Sequence, residues 1–308
     1  MSSATERTQS IRQSIESALR SHLPSGDSIA PGLVAAMRYS TLAGGKRLRP
    51  LLCYAAAEAC STDSATADAG DRINVALATG CAIEMVHTYS LIHDDLPAMD
   101  DDQLRRGKPT CHVQFNEAEA ILAGDALQAL AFELLAEQPL PAEVRLQLIS
   151  TLARAIGWAG MVGGQSFDIA LTGKSLANEQ ISQTQLEILH AAKTGALLKA
   201  SIEMGAITAQ PANDSCLRSC GQIGSYLGLA FQVIDDVLDV SKSTEELGKD
   251  AGSDAAQGKT TFVDLLGENG ARAYAIDLFE RARSELTMLP GSTTLLEAAA
   301  REVVFREH

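Results

Sequence analysis

The chain has 308 residues, 46% of them apolar and 4% aromatic, with a formal net charge of −14. That length and apolar content suffice for one large core, and an Ala- and Leu-rich, aromatic-poor mix favours closely packed helices. The acidity excludes nucleic acid as the partner of the overall field, so a phosphate ligand must be held by local cationic groups or by metal ions.

Ile11, Ile15, Leu19 and Leu23 recur every four residues and predict a first helix, ended by "LPSGD" at 23–27. A second helix is predicted over 31–42. "GGKRLRP" (44–50) reads as a loop, with Pro50 as the first residue of the next helix. "STDSATADAGD" (61–71) reads as a surface linker. A long apolar helix is predicted over 72–95, ended by Pro97. Further helices are predicted over 116–137, 141–158, 178–208, 215–240 and 270–306. No sustained two-residue alternation, fixed repeat or low-complexity tract interrupts them. The expectation is an all-α bundle forming a single domain over 1–308.

The six cysteines are Cys53, Cys60, Cys81, Cys111, Cys216 and Cys220. Cys216 and Cys220 are spaced i, i+4, but no second pair or nearby His completes a zinc set. They are expected to be small buried hydrophobes in a reducing compartment. The N-terminus lacks a secretory pattern, and no run of about 18 apolar residues predicts a membrane span, so a cytoplasmic protein is expected.

"HDDLPAMDDDQLRRGKPT" (93–110) concentrates acid and then turns basic. A charge run is ordinarily a solvated loop. Here the largely apolar "MVHTYSLIH" (85–93) delivers Asp94 and Asp95 out of the core, and the bend at Pro97 brings Asp100 back toward them. The second acidic cluster, "FQVIDDVLDV" (231–240), places Asp235, Asp236 and Asp239 within about 100° of helix arc, with Gln232 beside them. Carboxylates on apolar helices need compensation. Oxygen-only donors on two separate helices suit Mg²⁺ bridging carboxylates to phosphates.

The basic residues complete that reading. Gly44-Gly45 is followed by Lys46, Arg47 and Arg49 just before a helix N-terminus, an arrangement that favours anions. Arg105, Arg106 and Lys108 lie behind the first acidic run, and Lys193-Thr194-Gly195, Lys249 and Lys259 add candidates. His87 lies two turns before Asp94, on nearly the same face. Gly164, Gln165 and Asp168 in "GGQSFD" offer further polar groups. "GKTT" (258–261) lacks the earlier glycine of a phosphate-binding P-loop, since position 253 is Ser. His93-Asp94 is the dipeptide of HD-type metal phosphohydrolases, but its neighbours are Asp rather than His.

"DDLPAMD" (94–100) and "DDVLD" (235–239) resemble the two aspartate-rich motifs of the trans-isoprenyl diphosphate synthases. "GGKRLRP", "LRRGKPTCH", "LAGDAL", "GGQSFD", "KTGAL" and "LGKDAGSDAAQGKTT" match in order, so the resemblance covers nearly the whole chain. Within the family it leans to bacterial farnesyl-producing members. The resemblance implies an all-α, isoprenoid-synthase-type helical barrel around a deep central cleft, working as a homodimer. It implies head-to-tail condensation of an allylic diphosphate with isopentenyl diphosphate.

The resemblance also assigns roles. Three Mg²⁺ (with Mn²⁺ as a substitute) are expected on Asp94, Asp100 and Asp235, supported by Asp95, Asp236 and Asp239. Arg105, Lys193, Thr194, Gln232, Lys249 and Lys259 are expected to hold the allylic diphosphate, and Lys46, Arg49, His87 and Arg106 isopentenyl diphosphate. Tyr89 and Ser90, five and four residues before the first motif, are expected to floor the cavity and set chain length at fifteen carbons. A geranylgeranyl or geranyl synthase, a catalytically silent homologue and an HD-type phosphohydrolase are the alternatives. "VVFREH" at the C-terminus lacks the strongly basic tail of some family members, which leaves its part in closing the site open.

Overall fold

The early four-residue period becomes α1 (Ser2–His22), which buries Ile11, Ile15 and Leu19. The computed structural model describes residues 2–25, 28–61, 67–176, 181–209, 214–241 and 259–306. α2 (Pro31–Thr41) opens on a proline, whose fixed φ suits a first helical turn. α3 (Leu48–Cys60) starts two residues before the predicted Pro50, because Arg47 takes a left-handed φ of 49° and caps it. α4 (Ala67–Asp94) begins inside the stretch predicted as linker, of which 62–66 lie outside the described residues. It ends at Asp94, just ahead of Pro97, as expected.

Two short strands, β1 (Leu104–Arg105) and β2 (Lys108–Pro109), pair antiparallel across Arg106-Gly107. Both turn residues have positive φ, 53° and 73°, which matches the twist of a tight hairpin. Strands of two residues are too short for alternation to betray them. α5 (Cys111–Gln114) and α6 (Glu117–Ala136) follow, the latter capped by Asn116 accepting from the Glu119 N–H at 2.9 Å. α7 (Ala142–Ile156) leads to α8 (Met161–Leu176), a helix the sequence reading missed because Gly163-Gly164 looks like a loop.

The helix predicted over 178–208 is two helices. α9 (Gln183–His190) opens on a Ser182–Gln185 capping box and passes through a π-helical turn, Ala191–Gly195, into α10 (Ala196–Ala209). α11 (Asp214–Ser241) carries the second acidic cluster at its C-terminal end. The helix predicted over 270–306 is also two: α12 (Phe262–Leu286) and α13 (Thr294–Val304), parted at Pro290-Gly291.

One contiguous buried cluster runs from Ile11 to Val304. α4 packs against α3 and α6, and α10 lies between α3 and α11. Arg72–Asp94 is by length and composition apolar enough to cross a membrane, although it is no unbroken apolar run; of its 18-residue apolar window 78% is buried inside the protein, as in the core helix of a helical bundle.

The cysteines also depart from expectation. Cys60 at the end of α3 forms a disulfide with Cys216 near the start of α11, with Cα atoms 6.5 Å apart. Their separation of 156 positions hides that proximity from sequence spacing. Cys53, Cys81, Cys111 and Cys220 are buried thiols, as expected.

Candidate active site

Where α4 stops, the chain folds back on itself. The Asp100 N–H donates to the Asp94 carbonyl at 2.9 Å, so the bend returns the last aspartate of the motif to the first. Asp94 is held by Gln165 of α8, whose amide donates to Oδ1 at 3.0 Å. Burial first, and then Asp100 and Asp95, push the Asp94 carboxyl up to about 6, against the pull of Lys193 and Arg105. Asp95, the next residue, turns away from Asp94 and accepts from Arg105 Nε at 2.7 and 2.9 Å. That pair is the clamp between helix end and hairpin. A small cleft runs behind it, lined by Tyr39, Thr88, Ile92 and Arg106 among others, and neither Asp94 nor Asp235 lines it.

The second cluster divides its labour. Asp236 is buried and accepts from the Phe262 N–H at 2.7 Å, which anchors the first turn of α12. Asp239 is buried as well. Asp235 is the exposed member, and its carboxylate accepts from Arg306 Nη2 at 2.8 Å. The three share one stretch of α11, with Asp236 engaged by the first turn of α12 and Asp235 by Arg306.

Arg306 is the residue that sequence reading missed. It donates to the Phe231 carbonyl at 2.8 Å and stacks over the Phe231 ring at 3.8 Å. The only clue was a single arginine following an amphipathic C-terminal helix. A short tail with one cation thus reaches the site without a run of basic residues.

The two basic clusters form one surface. Arg106 donates to the Gly44 carbonyl, and a Cβ on Gly45 would sit 2.6 Å from the Arg106 guanidinium. Gly45, at φ 125°, is therefore required by its backbone, and it leaves room for the Arg106 guanidinium. Arg47 leaves this surface: its guanidinium is buried against Glu84 at 2.8 Å and Glu16 at 2.6 Å and braces the loop. Arg49 is different. Its Nε is buried without a hydrogen-bond partner, and burial brings the guanidinium down to about 10. His87 lies among Arg49, Arg106, Arg105 and Arg47, and burial followed by these cations holds it well below its ordinary value. Burial, then Arg306, also lowers Lys46. A cluster of cations, with Arg49 half-buried and its Nε orphaned, favours an anion.

The allylic-side candidates meet across α8 and the π turn. Lys193 pairs with Asp168 at 2.5 Å, and Lys259 approaches the same carboxylate at 3.9 Å. π-helical turns commonly mark functional positions, and this one carries Lys193 and Thr194. Glycines set it in place: a Cβ on Gly164 would meet the Lys193 N at 2.3 Å, and one on Gly228 would meet the Gly195 Cα at 2.6 Å. Gln232, half-buried, lies one turn before Asp235 and Asp236. Lys249 lies outside the described residues. Tyr89 is buried edge-on to His93, and the half-buried Ser90 donates to the His87 carbonyl at 2.9 Å.

The polyprenyl synthetase family model matches residues 30–281. This chain belongs to the polyprenyl synthetase family. Over 305 residues, covering 98% of each, it is 44% identical to a farnesyl diphosphate synthase of Haemophilus influenzae. An FPP/GFPP synthase structure from Zymomonas mobilis aligns with a TM-score of 0.83 and 38% identity, covering 98% of this chain and 99% of that one. A geranyltransferase from Helicobacter pylori, complexed with magnesium and isoprenyl diphosphate, aligns with a TM-score of 0.83 and 33% identity, covering 98% and 96%. The polyprenyl synthetase fold is thus the all-α architecture expected. His93, meanwhile, faces the Ile121 carbonyl at 3.1 Å and the Tyr89 ring, in the α4–α6 contact. That takes it away from Asp94 and removes the basis of an HD-type metal site.

Proposed function

We propose that the chain is a Mg²⁺-dependent prenyltransferase that joins dimethylallyl or geranyl diphosphate to isopentenyl diphosphate and stops at farnesyl diphosphate. The observation that carries this reading is the pairing of two aspartate-bearing helix ends with a cation cluster in which Arg49, its Nε without a partner, feels the charge of Asp235. The farnesyl product rests on the similarity to the Haemophilus influenzae relative.

Asp94, Asp100 and Asp235 are the proposed metal ligands. Oxygen donors and a carboxyl pushed up to about 6, by burial first and then by Asp100 and Asp95, fit a hard cation. When bound, three Mg²⁺ would neutralise the negative charge that develops on pyrophosphate, with Mn²⁺ as a substitute. Asp95, Asp236 and Asp239 support them indirectly, through the Arg105 clamp and the α12 anchor. Lys193, Thr194, Gln232, Lys259, Lys249 and Arg105 orient the allylic diphosphate. Lys46, Arg49, His87 and Arg106 hold isopentenyl diphosphate, with Arg306 placed to reach over it.

The allylic C–O bond breaks and its electron pair leaves with pyrophosphate. The isopentenyl double bond supplies the pair for the new C–C bond, and the departing pyrophosphate accepts the proton. The protein orients both diphosphates and keeps water from the cation. Tyr89 sets the depth of the cavity: five residues before Asp94, it lies about 7.5 Å along the helix axis.

The whole chain forms one domain, supported by the single buried cluster. It works in the cytoplasm as a homodimer, for which the exposed Val113, Ile121 and Leu122 on α5 and α6 offer an apolar face. The test of function is incubation with both substrates and Mg²⁺. Release of pyrophosphate with a longer prenyl chain supports the proposal; absence of condensation supports the silent-homologue alternative instead.

A further inference from the structure

Three cysteines from two helices meet far from the proposed site. Cys60 is the last residue of α3, and Cys216 and Cys220 lie one turn apart near the start of α11. Their sulfurs all lie within 4.8 Å of one another and all three side chains are buried. Cys60 is bonded to Cys216, and its sulfur is also 3.5 Å from that of Cys220. Close helix approach creates the cluster. A Cβ on Gly205 of α10 would sit 2.1 Å from the Cys53 carbonyl of α3, and one on Gly224 of α11 would sit 2.5 Å from the Lys199 Cα of α10. The two glycines let α3 and α11 both pack closely against α10, which brings the two helices near each other.

We infer that Cys60, Cys216 and Cys220 form a thiol–disulfide site in which Cys60 is the shared partner of two alternative cross-links. Cys216 and Cys220 cannot serve each other. Helix neighbours at i, i+4 hold their Cβ atoms about 5–6 Å apart, whereas a disulfide needs about 3.5–4.5 Å. Every bond must therefore run through Cys60 and tie α3 to α11. Starting from thiols, a small-molecule disulfide accepts the two electrons: the S–S bond forms in the protein, and two small thiols are released. Exchange within the protein needs no oxidant. The Cys220 thiol gives up its proton to solvent, and its thiolate attacks Cys60. The Cys60–Cys216 bond breaks, and Cys216 leaves as a thiolate and is reprotonated. Burial, then Glu203, pushes the Cys220 thiol up to about 12, so this exchange is slow at neutral pH.

The cross-link braces the two helices whose opposite ends carry the Arg47–Arg49 loop and Asp235. It closes a long loop, so its loss is felt as stability rather than chemistry.

The test equilibrates the full-length protein with oxidised glutathione, then maps disulfides by mass spectrometry without reduction. The expected wild-type product links Cys60 to Cys216. Cys216→Ser should link Cys60 to Cys220, and Cys60→Ser should contain no intramolecular link. The oxidised wild type should melt roughly 5–10 °C above Cys60→Ser, with kcat at 25 °C unchanged within about twofold. Free thiols throughout the oxidised wild type, or a Cys216–Cys220 link in Cys60→Ser, would overturn the inference. So would a stoichiometric soft metal ion released from the purified protein on thiol alkylation, which would make the cluster a metal site.

Discussion

His87 shows how one side chain can report on the cations around it. Its ordinary value is 6.5, and burial among four arginines holds it well below that. As pH falls through 6.5 the unfolded chain gains a proton that the folded chain refuses, so stability falls with pH. The slope approaches 1.36 kcal/mol per pH unit below that point. Urea unfolding at pH 7.5 and 5.5 should show a larger loss for wild type than for His87→Gln, by on the order of 1 kcal/mol. Equal losses would mean that His87 is solvated. Tyr89 is the second residue with a sharp consequence. Tyr89→Ala should lengthen products past fifteen carbons while condensation continues, read by mass spectrometry of the prenyl products. An unchanged product distribution would leave Tyr89 as ordinary core. His87 was legible from its seven-residue offset from Asp94 on one helix face, whereas the part expected of Tyr89 came only from the family resemblance. Arg306 was not legible, since nothing in "VVFREH" shows that α13 delivers it to Asp235.

At the level of elements, the polar spacing told more than the helix boundaries did. The two acidic helix ends, the bend at Pro97 and the loop before α3 stand where the residues put them. α8 and the π turn do not show in the pattern. Gly163-Gly164 reads as a breaker, yet at position 164 a glycine is what lets α8 touch the backbone of Lys193. Gly164→Ala brings a methyl into a 2.3 Å contact and forces the π turn to move. We expect about 1–3 kcal/mol lost in urea unfolding. A displacement of Lys193 by about 1 Å should lower kcat by about a hundredfold. Wild-type kcat in that variant would show that the π turn does not position Lys193 for the reaction.

Across the whole molecule, the core is built to hold charge that is unfavourable until ligands arrive. Asp94 rises from an ordinary 3.8 to about 6 and is mostly buried, so at pH 7 its ionised form costs stability that the unfolded chain does not incur. A raised carboxyl contributes stability below pH 3.8 and loses it as pH climbs through about 6. Asp94→Asn should therefore stabilise the metal-free protein at pH 7 by on the order of 1–3 kcal/mol, read in urea. The same variant should lose at least about a hundredfold in kcat. Mg²⁺ with pyrophosphate should raise the melting temperature of wild type far more than that of the variant. The cross-link from Cys60 to Cys216 belongs to this scale too: cysteines 156 residues apart meet only once α3, α10 and α11 have packed.

The most direct measurement supplies purified protein with dimethylallyl diphosphate, isopentenyl diphosphate and Mg²⁺, and sizes the products by mass spectrometry. The account predicts a dominant fifteen-carbon diphosphate together with released pyrophosphate. A twenty-carbon product would contradict Tyr89 as the floor while keeping the chemistry. No condensation at all would contradict the central claim that these aspartate-bearing helix ends and the cation cluster form a working prenyltransferase site.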